Sequence, residues 1–115
     1  MSTGNRKSLP KQQQQGDVCL DLVKLPIKAT RKAGRAILAY GEATGHLHEV
    51  LGEGVELYEE GDTMYVVVRG NEAVPLTHQE HHTQLLAPTP KGYAWRRRIV
   101  REYDHFAEEA RKVRD

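Results

Sequence analysis

Cysteine is almost absent: Cys19 stands alone in 115 residues. No disulfide can form within the chain, and a reducing compartment, the cytoplasm, is expected. Aromatics supply only 6% of residues, with one Trp and one Phe. So short and aromatic-poor a chain builds a small core, and cores of this size gain stability from a bound metal or from self-association. No apolar run approaches the ~20 residues needed to span a bilayer, so no membrane partner is expected. The first residues are basic and polar and lack the apolar centre of a secretory signal. No phosphate-binding loop occurs, because no glycine-rich stretch leads into Gly-Lys-Ser/Thr. Ser2 and Ser8, the only serines, lie in the polar opening segment, so no Ser–His–Asp set is expected. Cys19 falls on an apolar stretch and reads as an inert core thiol.

The charge is present but segregated. Residues 1–35 hold eight Lys/Arg against two acids, residues 36–90 one Arg against nine acids, and residues 91–115 eight basic against five acidic residues. Five of the six histidines fall in the acidic middle, whose field favours a bound cation.

Residues 1–15 contain only Met1 and Leu9 as large apolar side chains and end in four glutamines, which predicts a flexible tail. A single domain is then expected over 16–106. Asp17–Leu25 alternates apolar and other residues with the period of a strand and ends at Pro26. Lys28–Arg35 reads as a polar connection. Strands are expected at Ala36–Tyr40 and His46–Val50, and a hairpin at Val55–Glu59 and Thr63–Arg69 around Glu60-Gly61-Asp62. Gly70–Thr77 reads as a loop before the histidine-rich segment His78–His82. Pro88, Pro90 and Gly92 form a turn before a long last strand, Tyr93–Tyr103. The end of the chain, from about His105, reads as helical, with 107–115 a helical tail. Short strands joined by Gly/Pro turns predict a mainly β fold, a small barrel or sandwich with a short C-terminal helix; a barrel is favoured because closure removes exposed edges.

Two histidine clusters carry the chemistry. His46 and His48 are spaced i, i+2, which on a strand puts both imidazoles on one face, roughly 7 Å apart. Two such rings can converge on one ion with metal–nitrogen bonds of about 2.0–2.1 Å. Further ligands are expected from His78–His82: a turn brings His78 and His81 together, an extended strand His78, Glu80 and His82. The turn is preferred, because Val74-Pro75-Leu76 suggests a loop edge. One of the tandem His81-His82 is expected to be spare, and His105 lies outside both clusters. Carboxylates often hold the second nitrogen of a ligating imidazole. Glu42, four residues before His46, is the first choice for that role, and Glu80, between ligands, is a candidate general base.

Gly41, His46, His48, Glu53 and Gly61 resemble the first motif of the cupins, although the second cupin motif is absent. Across most of the chain, Gly41-Glu42-x-Thr44-Gly45-His46-x-His48, Leu76-Thr77-His78-x-Glu80-His81 and Arg101-Glu102-Tyr103-Asp104 resemble a group of small uncharacterised bacterial and phage proteins. That resemblance implies His46, His48, His78 and His81 as the functional set.

These residues lead to the expectation of a transition-metal site, zinc first, with iron, manganese or nickel as alternatives. The expected function is activation of water for hydration (as in a carbonic anhydrase-like lyase) or hydrolysis of a small substrate, with Glu80 and Glu42 as acid/base groups. The alternative is a non-catalytic, metal-stabilised module that contacts protein or nucleic acid through its basic ends. Lys91–Arg101 interleaves five basic residues with Tyr93 and Trp95. It reads more readily as a charge-protected edge strand than as a nucleic-acid surface. Its aromatics beside arginines suggest a homo-oligomer.

Overall fold

The structure is a computed structural model that describes residues 11–41 and 45–100. It contains ten strands: β1 (Gln12–Gln15), β2 (Val18–Lys24), β3 (Thr30–Lys32), β4 (Ala36–Tyr40), β5 (Leu47–Val50), β6 (Val55–Glu60), β7 (Thr63–Val68), β8 (Val74–Thr77), β9 (Gln84–Leu86) and β10 (Tyr93–Ile99). They form two antiparallel sheets, ordered β1-β2-β10-β7-β6-β3 and β4-β5-β8-β9.

The period-2 patterns decide which faces meet. Val18 and Leu20 of β2, Leu57 of β6, Val66 and Val68 of β7 and Trp95 of β10 pack with Ala36 and Leu38, Val50, Val74 and Leu76, and Leu86 from the four-stranded sheet. Each buried aliphatic side chain contributes roughly 1.5–3 kcal/mol, and Trp95 also donates from Nε1 to the Ala87 carbonyl at 3.1 Å. The alternate residues Tyr65, Val67 and Ala94 form a smaller cluster on the other face of the six-stranded sheet, with Val23, Leu25, Ala29 and Tyr58 against it. Cys19 is buried, and burial raises its thiol pKa, consistent with an inert thiol.

The architecture is sandwich-like, not the closed barrel that the turn pattern favours. Among the described residues no backbone ladder joins the two sheets; side chains bridge the gap instead. Gln13 Nε2 donates to the Leu85 carbonyl of β9 at 2.7 Å, and Arg97 Nη1 donates to the Leu38 carbonyl of β4 at 2.6 Å.

Other expectations also change. Gln12–Gln15, expected to belong to a flexible tail, instead pairs with β2, and residues 1–10 of that expected tail lie outside the described residues. Gly16-Asp17 is the two-residue turn between them, with Gly16 at φ 57°, the same device as Gly61-Asp62 between β6 and β7, where Gly61 has φ 60°. Strand β3 lies within the expected polar connection, and β8 within the expected Gly70–Thr77 loop. The last strand is not an edge: β10 sits between β2 and β7, so Trp95 is core and not an exposed association surface. Each of its arginines has a partner, although Arg96 Nε and Arg97 Nε are buried without one. Arg96 and Arg98 both bond Asp21, and Arg97 reaches the backbone carbonyls of Leu38 and Asp62. The C-terminal helix expected from His105, and the 107–115 tail, lie outside the described residues.

Asp21 accepts from Arg98 Nε at 2.6 Å, Gln12 Nε2 at 3.0 Å and Arg96 Nη2 at 3.3 Å. The Arg98 hydrogen bond is the chief reason its carboxyl titrates below the usual range. A depressed carboxylate stabilises the fold above its unfolded pKa of ~3.9 and loses that contribution as pH falls through the lower folded value. Urea midpoints measured between pH 6 and 2 should therefore fall less steeply below pH 4 in Asp21→Asn than in the parent; equal acid limbs would contradict the assignment. Trp95→Ala should lower stability by about 3–5 kcal/mol, and a loss under ~1 kcal/mol in the same assay would show that Trp95 is not the core anchor described.

Candidate metal centre

The first pair of histidines sits where β4 turns into β5. The Gly41 amide donates to the His46 carbonyl at 2.8 Å and closes this hairpin. A side chain at Gly41 has no room: its Cβ would lie 2.9 Å from His46 Cβ and 3.1 Å from His78 Nε2. Along β5, His48 shares the face of Val50, which packs into the inter-sheet core, so His48 points inward and is buried. Glu49 points the other way and forms a two-point ion pair with Arg35, at 3.0 and 2.8 Å, which holds its carboxyl below the usual range.

The second cluster follows β8, and local bonds tie it against β5. The Leu47 amide donates to Gln79 Oε1 at 2.9 Å, and Thr77 Oγ1 donates to the Glu49 carbonyl at 3.1 Å. The segment is bent, not extended, as the turn alternative requires. His78 becomes the hub. Its ring centroid is 4.3 Å from that of His48, 4.6 Å from His81 and 5.6 Å from His46, while His48 and His81 are 5.9 Å apart.

All four expected ligands are thus gathered from two segments distant in sequence. The ring of His82 is exposed and only its carbonyl is engaged, by Gln15. Glu80 is largely exposed, with Oε2 3.8 Å from His46 Nδ1; it stands beside one ring and not inside the cluster. Glu53 lies in an exposed loop and Gly61 in the β6–β7 turn. Glu42 and His105 lie outside the described residues.

Burial and mutual repulsion keep the inner rings neutral, the form that ligates metals. Desolvation, then the neighbouring His78 and His81, pushes the His48 pKa down to about 4. Desolvation first, then His81 and His46, also lowers that of His78.

Rings bound at about 2.0–2.1 Å to neighbouring tetrahedral or octahedral positions have centroids roughly 4.5–5 Å apart; His78 stands near that separation from His48 and His81, at 4.3 and 4.6 Å, whereas His46–His78 and His48–His81 are wider, at 5.6 and 5.9 Å. Among the described residues no group of three or more His, Cys, Asp or Glu side chains is arranged to hold a metal ion. The Glu80 amide donates to His78 Nδ1 at 3.0 Å, so the proton of a neutral His78 sits on Nε2 and neither nitrogen offers a free lone pair. That bond is exposed, so exchanging it for water is inexpensive.

Sequence reasoning missed Gln15. It is 2% exposed; its Oε1 lies 2.8 Å from His48 Nδ1, and its Nε2 donates to the carbonyls of Leu76 at 2.9 Å and His82 at 2.8 Å. The Gly16-Asp17 turn was the available signal that the glutamines before it form a strand. Gly16 has a second duty, because a Cβ there would lie 2.6 Å from His81 Nε2. A separate cavity of 330 Å³, lined by residues that include Gln12, Gln14, Cys19 and Arg98, does not include the histidines.

The sequence model of one family, Domain of unknown function (DUF8820), matches residues 14–98, and the chain belongs to that family. The matched span contains Gln15 and all four clustered histidines. No curated protein and no solved structure matches the chain.

The depressed His48 pKa makes stability depend on pH. The unfolded chain takes up a proton near pH 6.5 that the folded protein resists until about pH 4. The contribution is complete above ~6.5 and falls as pH drops through that window. In the presence of a chelator, urea midpoints should decline from pH 7 to pH 4, and His48→Gln should flatten the decline. An identical slope in the variant would contradict the assignment.

Proposed function

We propose that this domain binds a transition-metal ion, zinc foremost, through His46, His48, His78 and His81, and uses it to activate water for hydration or hydrolysis of a small substrate. The carrying observation is the gathering of four imidazoles, two from the β4–β5 hairpin and two from the turn after β8, at centroid separations of 4.3–5.9 Å. Clustered imidazoles are poor neighbours for protons and good ones for a divalent cation, and neutral imidazole suits zinc, iron and nickel alike. Gly41 and Gly16 lie against the rings, and a Cβ at either would crowd His78 Nε2, at 3.1 Å, or His81 Nε2, at 2.6 Å.

Ligation asks for one local change. The 78–82 turn must release the Glu80 amide from His78 Nδ1, so that the proton can move to Nδ1 and free the Nε2 lone pair. The turn is exposed at Glu80 and His81 and can rearrange without disturbing the core.

Openness supports chemistry over a closed structural role. His48 is buried, but His46 and His78 are half-buried and His81 is exposed, so a small molecule can reach the cluster from solvent. The three rings of His48, His78 and His81 form the tighter group, and His46 touches it only through His78. A three-histidine set leaves a position open, and an ion there supplies Lewis acidity and lowers the pKa of water to ~7. Glu80 beside His46 fits the carboxylate that orients an imidazole and receives a proton at the rim. The second reading, a metal-stabilised module without catalysis, draws on the same gathering: if His46 also ligates, a tetrahedral zinc is coordinatively closed.

Titration calorimetry on tag-free protein should give about one zinc per chain. His78→Ala, on the exposed turn, should abolish binding with the melting temperature of the metal-free form little changed, and His82→Ala should bind normally. Full zinc occupancy in the double variant His46→Ala/His48→Ala would overturn the proposal. With His46 alone replaced, retained zinc favours the open three-ligand site and lost zinc the closed one.

A further inference from the structure

Gln15 has no apolar role and no solvent, yet every strong hydrogen-bonding capacity it needs is met. Both protons of its amide nitrogen go to backbone carbonyls, those of Leu76 at 2.9 Å and His82 at 2.8 Å. Carbonyls only accept, so the amide cannot be turned around: a flip would set Oε1 against two oxygens and lose both bonds. The oxygen therefore faces His48, 2.8 Å from Nδ1. An amide oxygen only accepts, so the proton of the neutral His48 ring must sit on Nδ1, which leaves the Nε2 lone pair available.

The two carbonyls also have a meaning by position. Leu76 precedes the histidine turn and His82 closes it, so one amide nitrogen pins both ends of the segment that carries His78 and His81. We propose that Gln15 is the positioning residue of the histidine site, and that it makes assembly of the site conditional on the docking of β1. One side chain sets the tautomer of the buried histidine and the shape of the turn that brings the others to it.

This rests on the metal reading only for its purpose, not for its evidence. Among the described residues β1 is an edge strand, paired within its sheet with β2. Its remaining ties across the gap are side-chain bonds, including that of Gln13 to the Leu85 carbonyl. Undocking β1 would release the proton preference of His48 and both ends of the turn together. By linkage, whatever binds the assembled histidines must in turn hold β1 down.

The test uses the full chain, metal-free at neutral pH, with the imidazole tautomers read by nitrogen NMR and backbone exchange followed at residues 77–83. In the parent, His48 should carry its proton on Nδ1. Gln15→Met, similar in length but unable to donate or accept strongly, should lose that preference and raise amide exchange in the turn at least tenfold. Gln15→Glu separates the two duties: a carboxylate still accepts from Nδ1–H but cannot donate to Leu76 or His82, so the tautomer should persist while the turn loosens. Zinc affinity should then fall about 10–100-fold in Gln15→Met. Finding the proton on Nε2 of His48 in the parent would overturn the proposal, and so would parent-like exchange in both variants. If the parent shows the Nδ1–H tautomer and takes up no zinc, the positioning role stands and the metal reading falls. Equal zinc affinity in the parent and Gln15→Met would leave the metal reading standing and overturn the positioning role.

Discussion

The packing of a six-stranded sheet against a four-stranded one leaves a gap along the side where β1 faces β8 and β9, and that gap is the constraint from which the site follows. A barrel would fill it with a backbone ladder. Among the described residues no ladder crosses it, and glutamine side chains supply the bonds: Gln13 to Leu85, and Gln15 to Leu76 and His82. A buried amide must have partners for both donors and its acceptor. Two of those partners are backbone, and the third is His48. The Gln15 bonds that help bridge the sheets therefore also orient His48, the buried imidazole among the described residues.

From that bond outward, the cluster grades from buried to exposed. His48 is held in the interior and kept neutral by desolvation, His78 sits half-buried among all three other rings, and His81 and Glu80 meet solvent. The gradient runs from His48, carried by β5, to His78 and His81, carried by the bent segment after β8. The sheets position the site; the 78–82 turn completes it.

Much of this was legible in the chain. The alternation of Val18, Leu20 and Leu22 placed β2 correctly and Gly61-Asp62 marked the β6–β7 hairpin, whereas β5 begins at Leu47 and so carries His48 but not His46. The preference for a turn over a strand at His78–His82 also agrees with the structure. What stayed hidden was polar structure. Four glutamines carry no apolar signal, so Gln12–Gln15 looked like a tail, although its stability comes from amide bonds and from a Gly-Asp turn. Arg96, Arg97 and Arg98 looked like a solvated edge because three consecutive cations rarely lie in a central strand. Asp21 on one face and the carbonyls of Leu38 and Asp62 on the other absorb them, and neither partner is visible from local sequence. Pro75 disguised β8, where it faces the short β9 partner.

The central claim is that these imidazoles share one ion, and X-ray absorption at the zinc edge of the loaded, tag-free protein tests it most directly. The account predicts a first shell with three or four nitrogens at about 2.0–2.1 Å and the outer-shell scattering of imidazole rings. A shell made of oxygens, or one with a single imidazole, would contradict it.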